Sequence, residues 1–120
     1  MNICMKAAAI VAAMTGTAWA DSFQPVTDQS TFVELVNGRN LTNRLYNLSL
    51  NVSPSGNISG SALGWDVTGT WSWQGGYFCR EMAWGGDPIP YNCQLVEVAG
   101  DQVRFTTDRG AGDSAAFRLR

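Results

Sequence analysis

The sequence predicts a small, mainly β domain: an antiparallel meander of about six to eight short strands, a curled sheet or small barrel, with one N-terminal helix. Three observations predict it. Apolar residues recur with a helical period only once, in a short window around Phe32. Beyond Gly38 the apolar period changes to two. Clusters of Gly, Pro, Asn and Asp then punctuate the chain about every ten residues, the spacing of strands joined by tight turns.

The helix lies in VTDQSTFVELVNG, where Phe32, Leu35 and Val36 stand at i, i+3 and i+4 and form one apolar stripe. Thr27 or Asp28 can cap its start, and Asn37-Gly38 supplies a stop. Next, Tyr46, Leu48, Leu50 and Val52 alternate with Leu45, Asn47, Ser49 and Asn51, which reads as a strand with one buried face. Ser53-Pro54-Ser55-Gly56 is a turn, and Ile58 to Ala62 is the returning strand. The later strands are separated by Gly75-Gly76, a loop from Gly85 to Pro90, Gly100-Asp101, and a loop from Arg109 to Asp113; the last strand covers Ala115 to Arg120.

Turn chemistry also fixes registers. A two-residue hairpin at Gly75-Gly76 sets Trp73 opposite Phe78, Ser72 opposite Cys79 and Trp71 opposite Arg80. A cross-strand bridge between Cys79 and Cys93 sets Arg80 opposite Asn92 and Phe78 opposite Gln94. A hairpin at Gly100-Asp101 sets Val98 opposite Val103, Glu97 opposite Arg104 and Val96 opposite Phe105. The three hairpins agree: one face collects Trp71, Trp73, Phe78, Met82, Val96, Val98, Val103 and Phe105, and the other Ser72, Cys79, Cys93, Glu97, Arg104 and Thr106.

Residues 1–20 read as a cleaved secretory signal peptide: a short n-region with Lys6, an apolar run from Ala7 to Met14, and a small-x-small site with cleavage after Ala20. Residues 21–120 then form a single disulfide-stapled β domain. The apolar run is shorter than the ~20 residues of a membrane-spanning helix, so an exported chain without a membrane span is expected, periplasmic or secreted. The alanine-rich leader is of bacterial type. Export leaves two cysteines, Cys79 and Cys93, an even number that favours a disulfide. Closing a loop of about 15 residues is worth roughly 3 kcal/mol in the chain-entropy model.

Composition excludes whole classes of chemistry. The chain has no histidine, and its one lysine, Lys6, lies in the leader. Ser-His-Asp triads, Cys-His pairs, histidine metal sites and lysine Schiff bases are therefore all absent. Two cysteines without further soft ligands make no metal site, and no cofactor is expected. Seven arginines against ten acidic residues leave the exported part mildly acidic, which argues against nucleic acid as a partner.

The registers place three polar residues, Arg80, Asn92 and Gln94, on the apolar face beside Trp71 and Trp73. A few convergent polar groups in an apolar setting is the composition of a small-molecule site. Arg80 would fix an anionic or carbonyl group, and the tryptophans would pack on the apolar part. A structural alternative stands beside this one: Arg80 stacks on Trp71 or reaches Asp66 or Glu34, and Asn92 and Gln94 satisfy loop backbone. Glu81 and Asp87 are candidates for a glycosidase-type carboxylate pair, which needs a defined separation. Trp65 and Trp84 either cap the ends of the core or form an exposed aromatic platform.

The string from Leu41 to Gly100, with its Gly69-Thr70-Trp71 strand, the run Tyr77-Phe78-Cys79-Arg80 and the second cysteine Cys93, resembles a set of short exported bacterial proteins of unknown function. More distantly it is similar to domain-of-unknown-function group 995. Members of the closer set often carry the label dihydrodipicolinate reductase. That enzyme binds a nicotinamide nucleotide through a Gly-x-Gly-x-x-Gly turn between strand and helix. Here the glycine pairs Gly75-Gly76 and Gly85-Gly86 lie between strands, and the exported chain has neither histidine nor lysine. The expectation is a non-catalytic small-ligand binding module of the cell envelope. The alternatives are a protein-interaction or inhibitor domain with an envelope partner and, last, a carboxylate-dependent glycan hydrolase.

Overall fold

Nine strands and one α-helix, with a single 3-10 turn at Asp108–Gly110 before the last strand, follow one another along residues 22–120, the part of the chain described by the computed structural model. They are β1 (Gln24–Val26), α1 (Gln29–Val36), β2 (Asn40–Asn43), β3 (Leu48–Val52), β4 (Asn57–Ala62), β5 (Trp65–Gln74), β6 (Tyr77–Trp84), β7 (Asp87–Ala99), β8 (Gln102–Thr106) and β9 (Ser114–Leu119). The leader, its cleavage after Ala20, and Cys4 lie outside the described residues.

Strands β2 to β9 form an up-and-down meander, each antiparallel to the next. It closes because β9 pairs with β2 through Leu41–Leu119 and Thr42–Arg118. The result is an eight-stranded barrel with one helix, the closed form of the expected meander. The long strand β7 has two partners along one edge: β6 covers its first half, and β1 continues that edge opposite Val96, Glu97 and Val98.

Turn chemistry acts as the sequence predicts. Gly75 and Gly76 both have positive φ, as does the pair Gly85-Gly86, so each pair forms a two-residue turn whose twist matches its strands. The predicted pairs Trp71–Arg80, Trp73–Phe78, Phe78–Gln94, Cys79–Cys93, Arg80–Asn92, Val96–Phe105, Glu97–Arg104 and Val98–Val103 all form. Cys79 and Cys93 are joined by a disulfide. Arg104 donates to Glu97 Oε1 from Nη2 at 2.9 Å and from Nε at 3.1 Å.

Three details differ from expectation. The loop from Gly85 to Pro90 shrinks to the turn Gly85-Gly86, because Asp87 to Ile89 pair with β6 and Pro90 lies in a bulge of β7. Leu45 and Tyr46 sit in the turn before β3 rather than in the strand. Strands β1 and β2 are three and four residues long and have too few positions to display a period in the sequence.

The helix seals one end of the barrel. Asp28, not Thr27, is its N-cap, accepting from the Thr31 backbone N–H at 3.1 Å. Phe32 and Val36 are fully buried. The Phe32 ring stacks on Trp73 at 5.1 Å between centroids, meets Trp71 edge-on at 5.3 Å, and lies 5.1 Å from Phe78. Phe105 closes the cluster, 5.1 Å from Phe78. Trp73 Nε1 donates to the Thr27 carbonyl and Trp71 Nε1 to the Ser53 carbonyl, so both indoles bury their rings without orphaning an N–H.

Candidate functional site

The inward direction of Arg80 is forced by its neighbours in β6. Cys79 and Glu81 must face outward, one to bridge Cys93 and one to stay solvated. Alternation then turns Phe78, Arg80 and Met82 inward. A one-residue slip would carry the disulfide and a carboxylate into the barrel.

Arg80 is only 7% exposed. Its Nη1 donates to the Pro90 carbonyl at 2.7 Å. That carbonyl is available because of the bulge: Arg80 faces Asn92 while Met82 faces Ile89, so Pro90 and Tyr91 together oppose Glu81. Proline, which lacks an N–H, fits a bulge where a ladder donor is not needed. Among the described residues Arg80 has no carboxylate partner, since the two ion pairs are Arg104–Glu97 and Arg118–Asp101. Desolvation pushes its pKa below the usual range, the sign of a cation out of water without a counter-charge. Gln94 lies diagonally across the β6–β7 pair, where about 7–8 Å separates backbones and long side chains meet. It too is 7% exposed. Among the described residues every fully buried side-chain polar atom has a hydrogen-bond partner. Among the described residues the Gln94 amide has none, so it opens onto accessible space.

That space is a cavity of about 280 Å³, bounded on one side by Phe78 and Phe105, which also meet Phe32 of α1. Its walls are Leu41 from β2, Leu50 and Val52 from β3, Ile58 from β4, Phe78 and Met82 from β6, Phe105 from β8 and Phe117 from β9. Arg80 and Gln94 are the polar residues of the wall. Thr107, Asp113 and Ser114 form the rim.

The five residues singled out in the sequence therefore fall into three places. Arg80 and Gln94 line the cavity together. Trp71 and Trp73 belong to the aromatic plug under α1. Asn92 grips the β8–β9 loop: its Nδ2 donates to Asp108 Oδ1 at 2.8 Å, and its Oδ1 accepts from the Asp108 backbone N–H at 3.0 Å. Asp108 and Arg109 both have φ of 55°, a left-handed conformation that non-glycine residues adopt at some cost, and the paired bonds from Asn92 hold that strained corner. Asn92 thus positions the loop from which Thr107 and Asp113 reach the rim.

Sequence reasoning missed Asp113 and the β2–β4 wall. The alternation of Leu50, Val52 and Ile58 marked an apolar face, but only closure of the barrel brings that face across from Arg80.

Other candidates separate. Glu81 faces outward, opposite Thr70, while Asp87 pairs with Trp84 at the turn, so the two carboxylates do not share a cleft. Trp65 is 61% exposed, and Trp84, at the edge of exposure, donates from Nε1 to the Ala62 carbonyl. Both lie at the open end, where Leu45, Tyr46 and Leu63 are also exposed; the Leu63 N–H donates to the Tyr46 carbonyl and ties two of those turns together. A larger depression of about 690 Å³ runs along the β2–β9 seam past Arg44, Arg118 and Arg120. It is a solvated surface: its arginines are exposed, and Arg118 is already paired with Asp101 at 2.7 Å.

The lining supplies one cation, one amide, two hydroxyls and one carboxylate to an otherwise apolar space. The hydroxyls of Thr107 and Ser114 have no imidazole or lysine amine to activate them, and Asp113 is the single carboxylate on the lining. No family model, curated protein or solved structure matches this chain.

Proposed function

We propose that the protein is an exported, non-catalytic binding module of the cell envelope that takes a small, largely apolar molecule into the cavity of its barrel. One observation carries this reading: an apolar cavity onto which two largely buried polar side chains open, Arg80 with a single hydrogen bond, to the Pro90 carbonyl, and Gln94 with none among the described residues. The leader pattern and the disulfide support export. The outer faces of β3, β4 and β5 carry Ser49, Asn51, Asn57, Ser59, Thr68 and Thr70, the reverse of the apolar band around a membrane-spanning barrel. Among the described residues no helix is long and apolar enough to cross a membrane.

Native mass spectrometry of protein recovered from its own host, without refolding, tests the reading. A bound mass that Arg80→Ala releases supports it. A bare chain that also ignores anionic, neutral and cationic small probes refutes it. A protein-interaction reading rests on the exposed Leu45, Tyr46, Leu63 and Trp65 at the open end. On that reading Leu45→Ser with Trp65→Ser abolishes partner capture while Arg80→Ala leaves it intact.

A further inference from the structure

We propose that the ligand is a small monocarboxylic acid with a compact apolar body, its carboxylate seated on Arg80 and the Gln94 amide. This rests on the binding-module reading and specifies its chemistry.

The charge of the head group follows from Arg80. A guanidinium has five N–H donors, and among the described residues one hydrogen bond, to the Pro90 carbonyl, uses only part of that capacity. The remaining donors form a planar fork of the shape that a carboxylate accepts in two parallel bonds. A buried cation lacking a counter-ion is costly, and an anion arriving with the ligand removes that cost. The Gln94 amide offers an N–H₂ to the same head group. One arginine neutralises one charge. A phosphate dianion would bring a second, uncompensated charge into the apolar wall, so a monoanion fits and a dianion does not.

Size follows from the cavity. One water molecule, a single non-hydrogen atom, takes about 30 Å³, so a space of about 280 Å³ holds on the order of ten non-hydrogen atoms. The body is apolar because Leu50, Val52, Ile58, Met82 and Phe117 surround it. Direction follows from Asp113, the carboxylate on the rim. An acid entering head first leaves its tail at the mouth, and a second carboxylate on that tail would face Asp113.

Titration calorimetry of the full exported chain with octanoate, octanamide, octylamine and octanedioate tests this. The expected result is one site for octanoate, at least about tenfold tighter than octanamide, since a charge-assisted bond outweighs a neutral one by that order. Octylamine binds more weakly than octanamide. Octanedioate binds more weakly than octanoate and recovers in Asp113→Asn. Arg80→Met reduces octanoate to the level of octanamide; if that variant does not fold, Gln94→Leu replaces it and weakens octanoate more than octanamide. Octanamide or octylamine binding as tightly as octanoate overturns the carboxylate assignment while leaving a small-molecule module in place. Failure of all four probes, together with a bare native mass, overturns both.

Discussion

Replacing Arg80 by methionine separates a binding residue from a structural one, because the two roles predict stability changes of different size. Arg80 is 93% removed from solvent and has one hydrogen bond, to the Pro90 carbonyl, and no ion pair among the described residues. Exchanging a buried, unmatched charge for a hydrophobe of similar length is worth about 1–4 kcal/mol. The cavity is open at its rim and water there screens the guanidinium, so the lower half of that range applies. Against it stands the bond to Pro90, about 1.5–3 kcal/mol for a charged donor, of which exposed Pro90 recovers part from solvent. The net change lies within about 1–2 kcal/mol of zero. If Arg80 instead held a buried charge network together, the same substitution would cost about 3–5 kcal/mol. Urea unfolding followed by tryptophan fluorescence resolves these outcomes, since Trp71 and Trp73 sit in the plug under α1 and report its loss. A loss above about 3 kcal/mol at unchanged m-value refutes the reasoning that leaves Arg80 free for a ligand.

Four further outcomes are expected. Phe32→Ala removes the fully buried centre of the aromatic plug and lowers stability by about 3–5 kcal/mol, read from the same urea midpoint. The double substitution Cys79→Ala with Cys93→Ala loses about 3 kcal/mol, and reducing the native chain with a thiol reproduces the shift. Asn92→Ala frees the corner at Asp108–Arg109 and speeds amide exchange across residues 107–113 more than anywhere else in the barrel. Asp28 has its pKa lowered by bonds from Ser30 and Thr31, so its cap stabilises α1 above the unfolded carboxylate pKa near 3.8 and fades as pH falls through the lower folded value. Asp28→Asn removes that acid limb from a pH series of thermal melts.

Much of the barrel was written in local signals. Gly75-Gly76 and Gly100-Asp101 determine their hairpins, and two cysteines whose positions agree with both turns lock a third. With registers set, period two assigns faces without further information, which is why Arg80 and Gln94 were placed inward correctly. What stayed hidden was non-local. Closure depends on two residue pairs, Leu41–Leu119 and Thr42–Arg118, 78 and 76 positions apart, and no local pattern announces such a pairing. The bulge at Pro90-Tyr91 was hidden too, because one extra residue in a Gly/Pro-rich stretch looks like a loop until the partner strand is known. The tryptophans misled for a related reason. Trp71 and Arg80 are cross-strand neighbours, yet the ring turns toward Phe32 and the guanidinium toward Pro90, and adjacency in register does not say which end of a barrel a long side chain serves.

On the proposed reading, the aromatic cluster is what lets the barrel keep a cavity. Phe32, Trp71, Trp73, Phe78 and Phe105 concentrate aromatic packing in the half under α1, and aromatic rings contribute the largest apolar burial per side chain. The disulfide adds its constraint on the outer face of the same β6–β7 pair that carries Arg80. The cavity of about 280 Å³ borders that cluster at Phe78 and Phe105 and has an unmatched cation in its wall. Neither feature favours stability: an empty apolar cavity forfeits contacts, and a desolvated charge opposes folding. Both are removed together when an apolar anion occupies the space. The aromatic cluster thus offsets the cost of the cavity beside it, and stability gained on ligand addition should appear in β6, β7 and the β8–β9 loop before it appears under the helix.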